Sequence, residues 1–285
     1  MNFPAPNLRP PWLKVRAPSG EKVEKVAEVL RRYGLRTVCR DARCPNVGEC
    51  WGVGTATVIL LGDTCTRDCA FCGVATGTPR PPDPYEPVRV ARAAAELGWM
   101  HVVVTSVTRD DLEDGGASRF VETVKEIRKW TPSPAVELLV PDFGGNREAL
   151  GMVVAARPQV LAHNVETVPR LYPEVRPGAV YSRSLELLAL AHRMDPRMEL
   201  KSGLMVGFGE CEEEVVSVLE DLHAAGVRSV TLGQYLPPSR NHRPVTEYLT
   251  VEAFSALADS ARRMGFSRVA AGPLVRSSYK AGAGM

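Results

Sequence analysis

Six short runs of apolar residues, each followed by a helical stripe, constrain this chain more than any other feature. The first run is Thr57-Val58-Ile59-Leu60-Leu61, followed by His101–Thr105, Val136–Val140, Val160–Asn164, Glu199–Met205 and Arg228–Leu232. Most of these runs are nearly continuous in apolar residues rather than alternating. Strands of that kind are buried on both faces, which is the condition inside a parallel sheet. Between them stand helical patterns: Val88–Leu97, then Phe120, Val121, Val124 and Ile127, then Leu150–Ala156 and Leu185–Ala191. Val215, Val218, Leu219 and Leu222 mark another helix, and Phe254, Leu257, Ala258 and Ala261 the last. The alternation predicts an α/β protein, a partial (β/α)6 TIM-type barrel, with Val269–Leu274 as a short edge piece. No G-x-G-x-x-G follows the first strand, so a dinucleotide-binding doubly wound sheet has no support.

The barrel accounts for residues 55–265. That leaves an N-terminal extension, 1–54, and a C-terminal segment, 266–285. Residues 1–20 are Pro-rich and read as an extended cover. Val23, Val26, Ala27 and Leu30 predict a helix over 21–33. Arg36–Gly54 has no periodicity and needs something other than a core to hold it. The 35 basic and 33 acidic side chains leave a net charge of +2, which gives no reason to expect a nucleic-acid partner. No stretch approaches the ~20 apolar residues that cross a bilayer, and residues 1–11 lack the apolar core of a signal peptide. A cytoplasmic location is expected, where thiols stay reduced and clustered cysteines signal metal or redox chemistry.

Six of the seven cysteines form two triplets, Cys39, Cys44 and Cys50, then Cys65, Cys69 and Cys72. The second has C-x3-C-x2-C spacing and directly follows the first barrel strand. Three thiolates suit a 4Fe–4S cluster with one iron left free for a substrate, whereas a structural zinc normally takes four protein ligands. The first triplet, C-x4-C-x5-C, is a second three-thiolate site or a zinc knot stapling the N-terminal segment. Cys211 stands alone and is given no role. In barrels of this type chemistry collects at the C-terminal ends of the strands. The polar residues there are Thr105-Ser106, Asp142, Asn164 with Glu166, Lys201 with Ser202, and Gln234.

The second triplet, with Phe71 before its last cysteine, has the spacing of radical S-adenosylmethionine (radical SAM) enzymes. Within that superfamily the chain resembles the lipoyl synthase family. The resemblance rests on Cys39–Trp51, Gly62–Cys72, Thr105–Leu112 with Asp114–Ala117, and His163–Val168. It continues through Arg176–Tyr181 with Arg183–Leu185, Lys201–Gly207, Gly233–Leu236 and the terminal run Gly272–Tyr279, which holds Arg-Ser-Ser-Tyr. These segments are collinear and span most of the chain. The resemblance implies two 4Fe–4S clusters and S-adenosylmethionine as cofactors. The free iron of the first cluster, on Cys65, Cys69 and Cys72, chelates S-adenosylmethionine and cleaves it to a 5′-deoxyadenosyl radical, two molecules per product. The auxiliary cluster, on Cys39, Cys44 and Cys50 with Ser278 as fourth ligand and Ser277 as the lesser choice, is dismantled to donate sulfur. The implied substrate is an octanoyl chain amide-linked to a lysine of a lipoyl carrier domain, thiolated at C6 and C8. These carbons are unactivated, so no acid–base residue is expected and a radical must remove hydrogen. A low-potential electron donor is the other implied partner.

For S-adenosylmethionine itself the residues leave alternatives open. Asn164 and Glu166 suit ribose hydroxyls or the ammonium, and Lys201 and Ser202 the carboxylate or ribose. Thr105 and Ser106 stand where many radical SAM proteins carry Gly-Gly-Glu. Arg176 and Arg183 can fork a carboxylate. Each reads equally as loop hydrogen bonding or surface ion pairing. His163 reads as a satisfied barrel histidine and Arg109-Asp110-Asp111 as a solvated turn. The loop 236–248 is a second candidate cover, and Leu139 and Met205 are core or tunnel lining. The rivals are another thiolating radical SAM enzyme, similar to biotin synthase, and a non-catalytic iron–sulfur or zinc-binding protein.

Overall fold

A computed structural model describes residues 9–281 except 16, 132 and 280, so expectations for residues 1–8 lie outside the described residues. Seven parallel strands form one sheet in sequence order: β1 (Thr57–Leu60), β2 (His101–Ser106), β3 (Ala135–Leu139), β4 (Val160–Ala162), β5 (Glu199–Val206), β6 (Ser229–Gln234) and β7 (Arg268–Gly272). Six helices return the chain between them: α1 (Glu86–Leu97), α2 (Ala117–Trp130), α3 (Arg147–Ala155), α4 (Tyr181–Met194), α5 (Glu212–Ala224) and α6 (Val251–Met264). The strand order never doubles back, so the sheet curls as an open barrel rather than a doubly wound sheet. The six expected βα units are all present. Val58 and Leu60 of β1, Val102 and Val104 of β2, and Val136 and Leu138 of β3 are wholly buried, as continuous apolar runs require.

Helix boundaries follow local chemistry. Asn146 caps α3 by accepting from the amides of Glu148 and Ala149, both at 3.0 Å, and Thr250 caps α6 through Ala253 N–H. Gly98 and Gly265 end α1 and α6 in the left-handed region that glycine enters without strain.

Two features differ from expectation. The edge piece is a full parallel partner of β6, paired from Arg268↔Ser229 to Gly272↔Gly233. The sheet therefore runs past residue 265, and the tail proper starts after Gly272. The aperiodic region 36–54 is also ordered. Arg36–Thr37 pairs antiparallel with β1, and two short helices follow, Val38–Asp41 and Val47–Gly52. Thr37 caps the first by accepting from Arg40 N–H, and Trp51 anchors the second at 2% exposure.

The tail folds back across β6. A Cβ built on Gly233 would lie 2.0 Å from the Val275 carbonyl oxygen, so only glycine lets the two backbones meet there. Gly233→Ala is expected to destabilise the protein by about 1–3 kcal/mol through this overpacking. Thermal unfolding checks the loss, and faster proteolysis of the tail checks its location.

Candidate active site

Both cysteine triplets open into one cavity of about 890 Å³ bordered by the barrel, the N-terminal segment and the tail. Cys39, Cys44 and Cys50 line one part; Cys65, Cys69 and Cys72 line another; Ser277 and Ser278 line it from the tail. All seven cysteines are free thiols. Among the described residues no three His, Cys, Asp or Glu side chains gather around a single ion position.

The loop carrying the second triplet is shaped by its own hydrogen bonds. Thr64–Cys65 pairs with Ala75–Thr76, Cys72 N–H donates to Cys69 O at 3.0 Å, and Arg67 N–H donates to Cys65 Sγ at 3.4 Å. Arg67 also ties the loop to the barrel. It forks Asp110 at 2.7 and 2.8 Å and reaches Asp142 at 2.7 Å. Burial disfavours the Asp142 charge, but the Arg67 guanidinium overrides it and holds the carboxyl down at about 2. The run Arg109-Asp110-Asp111 is a turn with both aspartates exposed, as expected, but its side chains are engaged: buried Arg109 forks Asp111, and Asp110 holds Arg67. This network escaped the sequence reading. An arginine inside a cysteine loop was the available signal.

The first triplet is joined to the tail. Asn46 Nδ2 donates to Leu274 O at 2.6 Å, and the Tyr279 hydroxyl donates to the Glu49 carboxylate at 3.0 and 3.1 Å. These bonds bring Arg276-Ser277-Ser278 to the cavity wall facing Cys39, Cys44 and Cys50. Burial pushes the Cys72 thiol up to about 11 and raises Cys44 and Cys69 as well. Arg276 opposes the shift at Cys44, and Arg176 opposes it at Cys69. A cluster takes thiolates rather than thiols, and a guanidinium stands near each site to favour that form. Arg276 is a second residue that sequence reasoning did not single out, because its neighbours Cys44 and Glu166 are remote in the chain.

Five of the eight residues expected to bind S-adenosylmethionine line the cavity: Thr105, Ser106, Asn164, Glu166 and Arg176. Three of them carry a buried polar atom with no partner among the described residues: Ser106 Oγ, Asn164 Oδ1 and Arg176 Nε. Such atoms cost roughly 1–3 kcal/mol each unless something binds them. Arg176 is held on one edge, where Nη1 donates to Asn164 O at 2.9 Å and Val165 O at 3.2 Å. Glu166 accepts from Asn164 Nδ2 at 3.0 Å and has φ +66°, a left-handed conformation that costs a non-glycine residue about 1 kcal/mol or more. Burial raises its carboxyl above the ordinary range despite Arg176 nearby. Thr105 is less available, since its hydroxyl donates to Leu139 O at 2.8 Å.

The other three residues are not in the cavity wall. Lys201 faces Glu137 of β3 at 2.8 Å, and the same carboxylate meets His101 at 3.1 Å. Burial works against the Glu137 charge, but the His101 hydrogen bond and the Lys201 ammonium hold its carboxyl below the ordinary range. Ser202, the next residue on a strand of period two, points to the opposite face and is wholly buried. Arg183 reaches Asp142 at 3.3 Å and lines a separate small recess. The Lys201 and Arg183 charges are thus engaged by carboxylates, and Ser202 is enclosed. Lys201→Met would leave Glu137 buried without its cation and is expected to cost about 3–5 kcal/mol of stability, measurable by denaturant unfolding. His163 is a satisfied barrel histidine, bonded to Val140 O at 2.8 Å and Ser184 Oγ at 2.9 Å, with burial lowering it to about 4. Leu139 and Met205 do line the cavity, as do Val15, Ala17 and Pro18 and the loop residues Leu236, Pro237 and Pro238.

The donor set fits the implied groups. Two sets of three free thiols, each near a guanidinium, suit two three-thiolate clusters, and the unpartnered polar atoms beside the second suit a zwitterionic nucleoside.

Comparison with known proteins agrees. Residues 59–222 match the family model described as the radical SAM superfamily. The chain is 53% identical over 277 residues to a lipoyl synthase of Caldanaerobacter subterraneus subsp. tengcongensis, covering 97% of both chains. It is 52% identical over 273 residues to a lipoyl synthase of Rubrobacter xylanophilus, covering 96% of this chain and 85% of that one. Its fold is similar to that of Streptococcus suis SuiB bound to S-adenosylmethionine, with TM-score 0.60 and 10% identity over 79% of this chain and 54% of that chain. Sequence, fold and relatives agree: the chain belongs to the lipoyl synthase family of the radical SAM superfamily.

Proposed function

We infer that this protein inserts two sulfur atoms into an octanoyl chain carried as an amide on a lysine of a lipoyl carrier domain. The observation that carries the reading is the shared cavity: both thiol triplets and the tail serines line one space. When bound, a cluster on Cys65, Cys69 and Cys72 with S-adenosylmethionine supplies a 5′-deoxyadenosyl radical, and a cluster on Cys39, Cys44, Cys50 and Ser278 supplies the sulfur.

The chain's own residues bind, orient and exclude water. Arg176, fixed on one edge by loop carbonyls, offers its free Nε to a carboxylate. Glu166, Asn164 and Ser106 offer acceptors and a hydroxyl to the ammonium and ribose. Arg67 and its two aspartates hold the cysteine loop against the ends of β2 and β3. Val15, Ala17, Pro18 and Pro238 close the cavity with side chains that have no polar atom. Leu139 and Met205 give the octanoyl chain an apolar wall.

Residues 1–54 and the tail after Gly272 together form the sulfur-donating part, and the barrel between them generates the radical. A hydroxyl such as Ser278 is a poor ligand for a soft iron site, which suits a ligand that must be released when the cluster is dismantled. A low-potential electron donor completes the cycle. Among the described residues no helix is long and apolar enough to cross a membrane.

Anaerobic turnover with an octanoylated lysyl peptide tests the reading. The expected result is 5′-deoxyadenosine together with a product heavier by two sulfur atoms. Deoxyadenosine without sulfur gain in a protein loaded with both clusters would contradict it.

A further inference from the structure

The cavity wall holds five arginines, Arg9, Arg40, Arg43, Arg176 and Arg276, against a single carboxylate, Glu166. The five divide into two sets. Arg176 and Arg276 act on the thiols, Arg176 on Cys69 and Arg276 on Cys44. Arg9, Arg40 and Arg43 are exposed. None of these three makes an ion pair with a described residue. Arg40 stacks its guanidinium on Trp51, 5.1 Å from the ring centroid, which fixes the charge without neutralising it. Nearby carboxylates are engaged elsewhere: Asp41 pairs with Arg36 at 3.0 Å, and Glu49 accepts from Tyr279.

Exposed, unpaired arginines at the border of a site call for anionic partners. The substrate arm supplies none, because an octanoyl-lysyl amide is neutral along its length. A domain that carries the arm can supply it, on the exposed side of the rim.

We propose that Arg9, Arg40 and Arg43 form a docking rim for a protein domain that presents its acylated lysine flanked by carboxylates. The proposal rests on the carrier reading above and deepens it. The rim steers an acidic face onto the cavity mouth, and the neutral arm then enters the apolar space behind it. Because the contacts are exposed, their effect falls with ionic strength.

The test measures binding of an octanoylated lipoyl carrier domain to the anaerobically reconstituted holoenzyme at low and high salt. Three enzymes are compared: wild type, the triple variant R9Q/R40Q/R43Q and the charge-keeping variant R9K/R40K/R43K, with iron content confirming that all are loaded. The Gln variant is expected to weaken Kd by about tenfold or more at low salt and to lose most of the salt dependence, while the Lys variant stays within about threefold of wild type. Amidating the carboxylates beside the carrier lysine should weaken wild-type binding by a similar factor and leave the Gln variant no weaker. Equal Kd values for wild type and the Gln variant overturn the rim, as does amidated carrier binding with undiminished affinity. A wild-type enzyme that thiolates the short octanoyl-lysyl peptide yet binds no carrier overturns the rim alone. One that thiolates neither overturns the function reading itself.

Discussion

Cys69→Ala abolishes reductive cleavage of S-adenosylmethionine, so that 5′-deoxyadenosine falls to background in the presence of a strong reductant. Cys69 is the middle thiol of C-x3-C-x2-C, and its loop leaves no substitute: the remaining cysteine outside the triplets, Cys211, caps α5 on the exposed surface. Two thiolates cannot hold a cubane that three were spaced to hold. The same variant should keep the iron bound by the first triplet, because Cys39, Cys44 and Cys50 are held by their own short helices and by the tail. Iron and sulfide per chain should fall from about eight of each to about four. A variant that still releases deoxyadenosine at an appreciable rate would show that the radical arises elsewhere.

Cys44→Ala and Ser278→Ala give the opposite split. Both leave cleavage of S-adenosylmethionine intact and stop sulfur transfer, so deoxyadenosine accumulates while the octanoyl peptide gains no sulfur. Cys44 lies in the turn between the helices that carry Cys39 and Cys50, and Ser278 lies in the tail that Asn46 and Glu49 hold against that turn. Among the described residues neither is hydrogen-bonded to the radical-generating loop. Ser278→Cys separates two roles of the serine: a tighter thiolate ligand should preserve the cluster, as read by iron content, yet slow the release of sulfur. Full lipoyl formation by Ser278→Ala would remove the hydroxyl from the ligand set. Equal loss of both reactions in Cys44→Ala would end the division of labour between the two triplets.

How much of this was legible in the sequence depends on what fixes each feature. The six barrel strands were readable because continuous apolar runs encode burial on both faces. The seventh, Arg268–Gly272, was read only as an edge piece because it is half-exposed, and its place is set by pairing with β6 rather than by its own hydrophobicity. The cysteines were readable because short spacing in sequence forces proximity in space. The nucleoside contacts divided according to partners that spacing cannot reveal. Lys201 and Ser202 both sit on β5, but the strand sends one toward Glu137 and the other into the opposite layer. Arg183 was indistinguishable from Arg176 until Asp142 was seen beside it. Arg67 and Arg276 went unmarked for the same reason, since Asp110, Asp142, Cys44 and Glu166 reach them from distant segments. Order in 36–54 was invisible to periodicity because two one-turn helices and a two-residue strand are too short to show any.

The most direct measurement is made on a variant with Cys39, Cys44 and Cys50 all replaced by Ala, so that a single cluster remains. Electron paramagnetic resonance and Mössbauer spectra of this anaerobically reduced protein are recorded with and without S-adenosylmethionine. The account predicts about four irons per chain, one of them distinct from the rest, and a spectrum that shifts when S-adenosylmethionine binds through that iron. Four equivalent, fully protein-ligated irons, with a spectrum indifferent to S-adenosylmethionine, would contradict it.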